Sequence, residues 1–224
     1  MIDISVVIPA HNEEKYIGAA LDSLKRQSFR DFEVIVVCNG CNDRTYNIAR
    51  KYTDRVLSIP RANVCAARNI GAENANGEII VFMDADTFLE ENALSEIKKQ
   101  FSLRHAIGTM FLVPNHPKTR YKLLFFLKNL FNRVYTASSH VIISRKELFN
   151  KCRGFNQDIE FGFENRDFAL RIARFGEYTV IKKTWAVTST RRYEAWGLLK
   201  TALFWLGNKL FLVKAGNVDY GNVR

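Results

Sequence analysis

Through the first hundred residues, short apolar runs rich in branched side chains alternate with stretches whose apolar positions recur at helical spacing. Residues 4–9 read as a buried strand, and residues 15–27 as an amphipathic helix with Ile17, Ala20, Leu21 and Leu24 on one side. The pattern continues with strands over 33–38, 54–59 and 79–84, the last entered through the Asn76-Gly77 turn. Helices are predicted over 43–52, 64–74 and 90–103, with Asn63 placed to cap the second. Strands that are apolar throughout and separated by helices require a mostly parallel sheet covered on both faces, an α/β fold. After residue 106 the alternation loosens. Strands are expected over 107–113 and 139–144, with one or two across 178–188. Helices are expected over 121–135, 146–151, 164–175 (ending at Gly176) and 195–214.

Ligands of such sheets bind beyond the carboxyl ends of the strands. Three of the predicted strands run there into polar or small residues: Pro9-Ala10-His11-Asn12-Glu13, Cys38-Asn39-Gly40-Cys41-Asn42-Asp43 and Asp84-Ala85-Asp86. They should converge on one crevice. With 224 residues and neither a repeat nor a low-complexity linker, the chain reads as one domain, 1–224, whose halves meet near residue 105.

Charge narrows the partners. The 33 Lys+Arg against 23 Asp+Glu leave +10, which attracts phosphate-rich molecules. No block of five or six like charges and no nucleic-acid motif is present, so nucleic acid is not the expected partner. Four cysteines without a secretory leader point to reduced thiols and a cytoplasmic setting. Cys38 and Cys41 have C-x-x-C spacing, but no second pair exists to complete a structural zinc site, and small strand-end residues are the plainer reading.

Asp84-Ala85-Asp86 sets two carboxylates two residues apart at the end of a buried strand. Such oxygen ligands suit Mg²⁺ or Mn²⁺, which complete their shells with phosphate oxygens and water. Taken alone, the triplet also reads as a turn that caps the helix over 90–103.

It does not stand alone. Ser5-Val6-Val7-Ile8-Pro9-Ala10-His11-Asn12-Glu13, then Phe32 through Asp43, then Ala67-Arg68-Asn69-Ile70-Gly71, then Gly77 through Thr87 follow one another in an order that resembles the family 2 nucleotide-diphospho-sugar glycosyltransferases of GT-A fold. The resemblance is close over residues 3–90 and returns over 154–176. It implies a Rossmann-like sheet, residues 1–105 as a nucleotide-binding half and 106–224 as an acceptor-binding half. It also implies donor-binding roles for Pro9, Ala10, Glu13, Asn39, Arg68, Asp84 and Ala85, and metal binding by Asp84 and Asp86. Arg68 would bring a planar donor fork to the nucleotide, although it also fits a surface arginine.

Two positions depart from the family pattern. Cys38-Asn39 replaces an acidic pair, which leaves the nucleobase open. In Gly162-Phe163-Glu164-Asn165-Arg166-Asp167-Phe168 the usual general base falls on Asn165, and an amide cannot take a proton. Either Glu164 or Asp167 substitutes, or the acceptor is a phosphate, such as a polyprenyl phosphate, that attacks already ionised. Glu164 and Asp167 also fit as helix N-terminal acids. Arg191 and Arg192 follow the last strand and could clamp the departing diphosphate, or face solvent or membrane.

Residues 121–135 and 196–213 are apolar but interrupted by Lys122, Arg133, Lys200 and Lys209. Neither is a clean span, and both suit an interfacial helix on the inner face of a membrane, a core helix or a dimer surface. The combined expectation is an inverting, metal-dependent transferase that moves a sugar from a nucleotide-diphospho-sugar to a glycan or lipid-phosphate acceptor. A non-catalytic binding module of the same fold is the rival. Sugar, acceptor and oligomeric state stay open.

Overall fold

Unbroken branched apolar runs are stable only as strands buried on both faces, and the chain arranges them in that way. The computed structural model describes residues 2–134, 140–159, 162–198 and 200–201. In chain order the described elements are β1 (Ile4–Ala10), α1 (Ile17–Lys25), β2 (Phe32–Asn39), α2 (Thr45–Ala49), β3 (Val56–Ile59), α3 (Val64–Glu73), β4 (Ile79–Met83) and β5 (Thr87–Leu89). They continue with α4 (Ala93–Gln100), β6 (His105–Pro114), α5 (Thr119–Val134), β7 (Val141–Arg145), α6 (Lys146–Lys151), α7 (Glu164–Ile172), β8 (Glu177–Thr188) and α8 (Arg191–Trp196). The eight strands form one sheet in the order β3-β2-β1-β4-β7-β6-β8-β5.

The first four strands are parallel to one another, as the sequence predicts. β7 then enters antiparallel between β4 and β6, and β5 pairs antiparallel with β8, while β6 and β8 run parallel. The alternation of side chains divides the core into two layers. Val6 and Ile8 face the layer that holds α1, α4 and the inner side of α5, whereas Val7 faces α3, α6 and α7.

Several boundaries differ from the sequence reading. The helix expected over 90–103 is Ala93–Gln100, with Asn92 before it making no side-chain cap, so Asp84-Ala85-Asp86 does not cap it. The triplet forms a turn, Thr87 N–H to Asp84 C=O at 3.0 Å, that feeds β5, a three-residue strand the periodicity did not show. Asn63 does cap α3, its Oδ1 accepting from Ala66 N–H at 2.9 Å. A helix begins at Arg191, not at 195, and most of the expected 195–214 helix lies outside the described residues. In α5, which the sequence left open between an interfacial helix, a core helix and a dimer surface, Tyr121 and Phe125 are buried core residues and Phe126 is exposed.

Candidate active site

The carboxyl ends of β1, β2 and β4 open onto a cleft of about 380 Å³. Pro9, Glu13, Asn39, Arg68, Asp84, Ala85, Asp86, Glu164, Asn165, Arg191 and Arg192 all line it. Two expected residues do not. Ala10 is buried, and its carbonyl accepts from Asn39 Nδ2 at 2.8 Å and from the Cys41 thiol at 3.3 Å. Asp167 turns to Arg171, whose Nε and Nη2 both donate to its Oδ2 at 2.8 and 2.6 Å. Asn39 therefore spends one amide donor on joining β2 to β1, and Cys38 and Cys41 belong to these strand ends.

The loops that follow β1 and β2 are tied together. Asp43 accepts from Thr45 N–H and from Glu14 N–H, and Thr45 Oγ1 accepts from Glu13 N–H at 2.7 Å. This network aims Glu13 into the cleft, where its two oxygens receive both terminal nitrogens of Arg191 at 2.5 and 2.7 Å. The same guanidinium reaches Asp86 at 3.1 Å and lies over the ring of Tyr16, 4.7 Å from its centroid. Burial raises the pKa of both Glu13 and Asp86 above the usual carboxylate range, with Arg191 opposing. Burial also works against the charge on Arg191, but the Glu13 hydrogen bond and the Asp86 charge outweigh it and keep the group protonated.

Asp84 has other partners. His140 Nδ1 lies 2.9 Å from its Oδ2, and Arg68 Nη2 donates to its Oδ1 at 3.2 Å. Burial disfavours the carboxylate, yet the His140 hydrogen bond and the Arg68 charge prevail and hold its pKa below the ordinary value. The pKa of His140 is also lowered, mainly by burial and then by the charge of Lys128, whose Nζ stands 3.1 Å from Nε2, and this favours the neutral imidazole. A neutral imidazole that accepts from Lys128 must carry its proton on Nδ1, and so it donates to Asp84. The His140 backbone is left-handed, φ +61°, an uncommon state for a side chain of that size.

Arg68 is a buried residue, which removes the surface-arginine reading. It stacks against Phe155, its Nη1 donates to Asn165 Oδ1 at 2.7 Å and lies 3.8 Å from Glu164, and its Nε has no hydrogen-bond partner among the described residues. The rest of the Ala-Arg-Asn-x-Gly motif is structural. Asn69 clamps the loop at Phe155 through both backbone groups, and a Cβ on Gly71 would meet Val7 Cγ1 at 2.2 Å. Glu164 Oε2 accepts from Gly162 N–H at 2.5 Å.

Sequence reasoning missed His140, Lys128, Tyr16 and Tyr193. His140 precedes a buried apolar strand, but only the antiparallel register, Met83 opposite Val141, sets it beside Asp84. Its ligand atom and one from each of Asp84 and Asp86 all lie within 4.8 Å of one another, the arrangement among the described residues that could hold a metal ion.

The family model described as "Glycosyl transferase family 2" matches residues 5–173. The chain belongs to glycosyl transferase family 2. A member, the uncharacterized glycosyltransferase EpsJ of Bacillus subtilis (strain 168), is 30% identical over 196 residues, covering 78% of this chain and 57% of EpsJ. The 4,4'-diaponeurosporenoate glycosyltransferase of Staphylococcus haemolyticus is 37% identical over 137 residues, which cover 58% of this chain and 36% of that protein. The chain thus spans little more than half the length of these relatives, or less. Among solved structures, Staphylococcus aureus TarS 1–349 with UDP-GlcNAc superimposes with TM-score 0.68 at 20% identity, covering 95% of this chain and 71% of that one. Mannosyltransferase PcManGT from Pyrobaculum calidifontis, in complex with GDP-Man and Mn²⁺, gives 0.70 at 20% identity, covering 95% and 65%. The fold of this family 2 chain is accordingly GT-A.

Proposed function

We propose that this chain transfers a sugar, with inversion, from a nucleotide-diphospho-sugar to an acceptor oxygen that is already ionised, the phosphomonoester of a lipid such as a polyprenyl phosphate. One observation carries the reading: two strand-end carboxylates and an imidazole gathered in a cleft that Arg191 and Arg192 also line. Membership of the family and the nucleotide sugars held by TarS and PcManGT support the donor class.

Pro9, Glu13 and Asn39 would receive the nucleoside, and the Nε of buried Arg68, unpartnered among the described residues, is a donor left for a ligand. Asp84 and Asp86 would hold Mg²⁺ or Mn²⁺, since carboxylate oxygens grouped this closely fit a hard divalent cation, and His140, its two ring nitrogens engaged by Asp84 and Lys128, would orient Asp84. When bound, such a cation supplies Lewis-acid neutralisation of the diphosphate. Arg191 and Arg192 would meet the charge that develops as the bond between the anomeric carbon and the diphosphate oxygen breaks and the acceptor oxygen bonds from the other face.

The acceptor is inferred from how few bases the cleft offers. Asn165 is an amide, Asp167 is committed to Arg171, and Glu164 is held by Gly162 N–H beside Arg68. A phosphomonoester, with a second pKa of about 6, needs no base at neutral pH. A second reading has Glu164 as base for a sugar hydroxyl, because it lines the cleft where Asp167 does not. A lipid-borne acceptor would bring the chain to a membrane by contact, since no helix among the described residues is long and apolar enough to cross one.

Incubation of the chain with a panel of nucleotide sugars, Mn²⁺ and either a polyprenyl phosphate or a glycan tests these readings. Transfer to the phosphate that survives Glu164→Gln is expected. Transfer to the glycan alone, lost in Glu164→Gln, would replace the phosphate reading with the second one. Donor binding without turnover on either acceptor would leave a binding module.

A further inference from the structure

The outer side of α5 is an apolar stripe that is exposed among the described residues. Leu123, Phe126, Leu127 and Leu130 recur at the i, i+3, i+4, i+7 spacing of one helix face and are exposed, Phe126 by 65%. The inner side of the same helix is used: Tyr121 and Phe125 are buried, and Asn129 bonds both backbone groups of Leu112. An amphipathic surface helix normally turns its second face polar, so this one is apolar on two sides.

Charge says what would cover it. Residues 115–134, which contain α5, carry the five cations Lys118, Arg120, Lys122, Lys128 and Arg133 and no acid. Of these, Lys118, Arg120 and Lys122 are exposed at the start of α5, beside the stripe. We infer that α5 docks this chain on an anionic lipid surface, with the stripe among the acyl chains and the lysines and arginine at the headgroups.

A second copy of the chain fits less well. A twofold contact would set the stripe against itself and bring the same cations together with no acid in the segment to offset them. The C-terminal residues 202–224 carry Lys209, Lys214 and Arg224 against the single acid Asp219, so they do not supply the anionic complement either. The position of α5 also suits a lipid-borne acceptor. Its Lys128 reaches His140, and its Phe125 lies 5.7 Å from the ring of Tyr193, so the cleft is one helix thickness, about 10 Å, from the stripe. The docking surface extends the acceptor reading but does not depend on turnover.

The experiment is sedimentation of the full chain with phosphatidylglycerol vesicles and, separately, with phosphatidylcholine vesicles. No donor is added. The wild-type chain should pellet with the anionic vesicles, and Phe126→Ser/Leu130→Ser should lower the bound-to-free ratio about tenfold or more while its thermal unfolding is unchanged. Lys118→Gln/Lys122→Gln should lose the preference for phosphatidylglycerol, and raising salt from about 0.1 to 1 M should weaken binding. Equal pelleting of wild type and the Phe126/Leu130 variant, or none by wild type, would overturn the proposal. So would a wild-type dimer in sedimentation velocity that the same variant dissociates without any vesicle binding. Transfer to a water-soluble phosphate acceptor, measured alongside, should be the same in wild type and this variant; its absence from both would count against the transferase reading and leave the pelleting result intact.

Discussion

The two sides of the cleft are built in different ways. β1 to β4 are parallel, with β1 and β4 wholly buried and β2 buried over its second part, and three of them deliver cleft residues directly from strand ends: Glu13 in the loop after β1, Asn39 at the end of β2, Asp84 and Asp86 after β4. The later half reaches the cleft from both kinds of strand end. β7 runs antiparallel to β4 and brings His140 from its amino end, whereas β8 runs in the same direction as β4 and delivers Arg191 and Arg192 beyond its carboxyl end. The charges are divided along the same line. Most acids come from the first half and most cations from the second, with Glu164 and Arg68 the exceptions, and Arg191 joins the halves by bridging Glu13 and Asp86. A ligand that brings phosphate and a divalent cation would exchange partners with pairs already present.

If the first half is scaffold plus acid and the second supplies the countercharge, substitutions should separate by kind. The largest effect is expected for Asp86→Ala. Turnover should fall by about 10³ or more, since metal-assisted neutralisation contributes several kcal/mol. The stabilisation by a nucleoside diphosphate with Mn²⁺ in thermal unfolding should vanish as well. Full retention of that shift would sink the proposed metal site.

Next in size is Arg191→Ala. Removing a preorganised cation should cost about 10² to 10³ in kcat, with Arg191→Lys intermediate because a lysine cannot engage Glu13 through two parallel bonds. Were kcat unaffected in Arg191→Ala, the second half would have to be regarded as packing alone. Gly77→Ala probes the scaffold: its Cβ would lie 2.7 Å from Ser5 N, so stability in urea should drop by about 1–3 kcal/mol while turnover per folded molecule is kept.

The smallest effect belongs to Glu33, far from the cleft. Burial favours its neutral form, but hydrogen bonds from Ser5 and Asn76 and the charge of Arg55 prevail and set its pKa below the ordinary value. Its contribution is therefore present above the unfolded pKa of about 4.3 and lost as pH falls through the lower folded value. Glu33→Gln should cost about 1 kcal/mol near neutrality, and the gap between the two chains should narrow on acidification below about pH 5 in denaturant titrations. A gap that widened there would reverse the assigned sign.

Much of this was legible in the chain. Branched apolar runs ending in Pro9, Asn39 and Asp84 fixed the parallel half and its polar edge, because burial on both faces leaves a strand no polar position until it exits the sheet. Asn63 as a cap and Arg68 and Asp84 as cleft residues could be named from local pattern. The rest depended on contacts between residues far apart in sequence. Periodicity carries no sign of strand direction, so nothing local placed His140 at Asp84, nor could it place Thr188 opposite Thr87 and thereby bring Arg191 to Asp86. Side-chain choice was equally nonlocal: Asp167 and Glu164 share one helix turn, but Arg171 draws Asp167 away and leaves Glu164 in the cleft. Phe125 and Phe126 are adjacent and chemically identical, and only the docking of α5 on β6 decided which one is core and which faces outward.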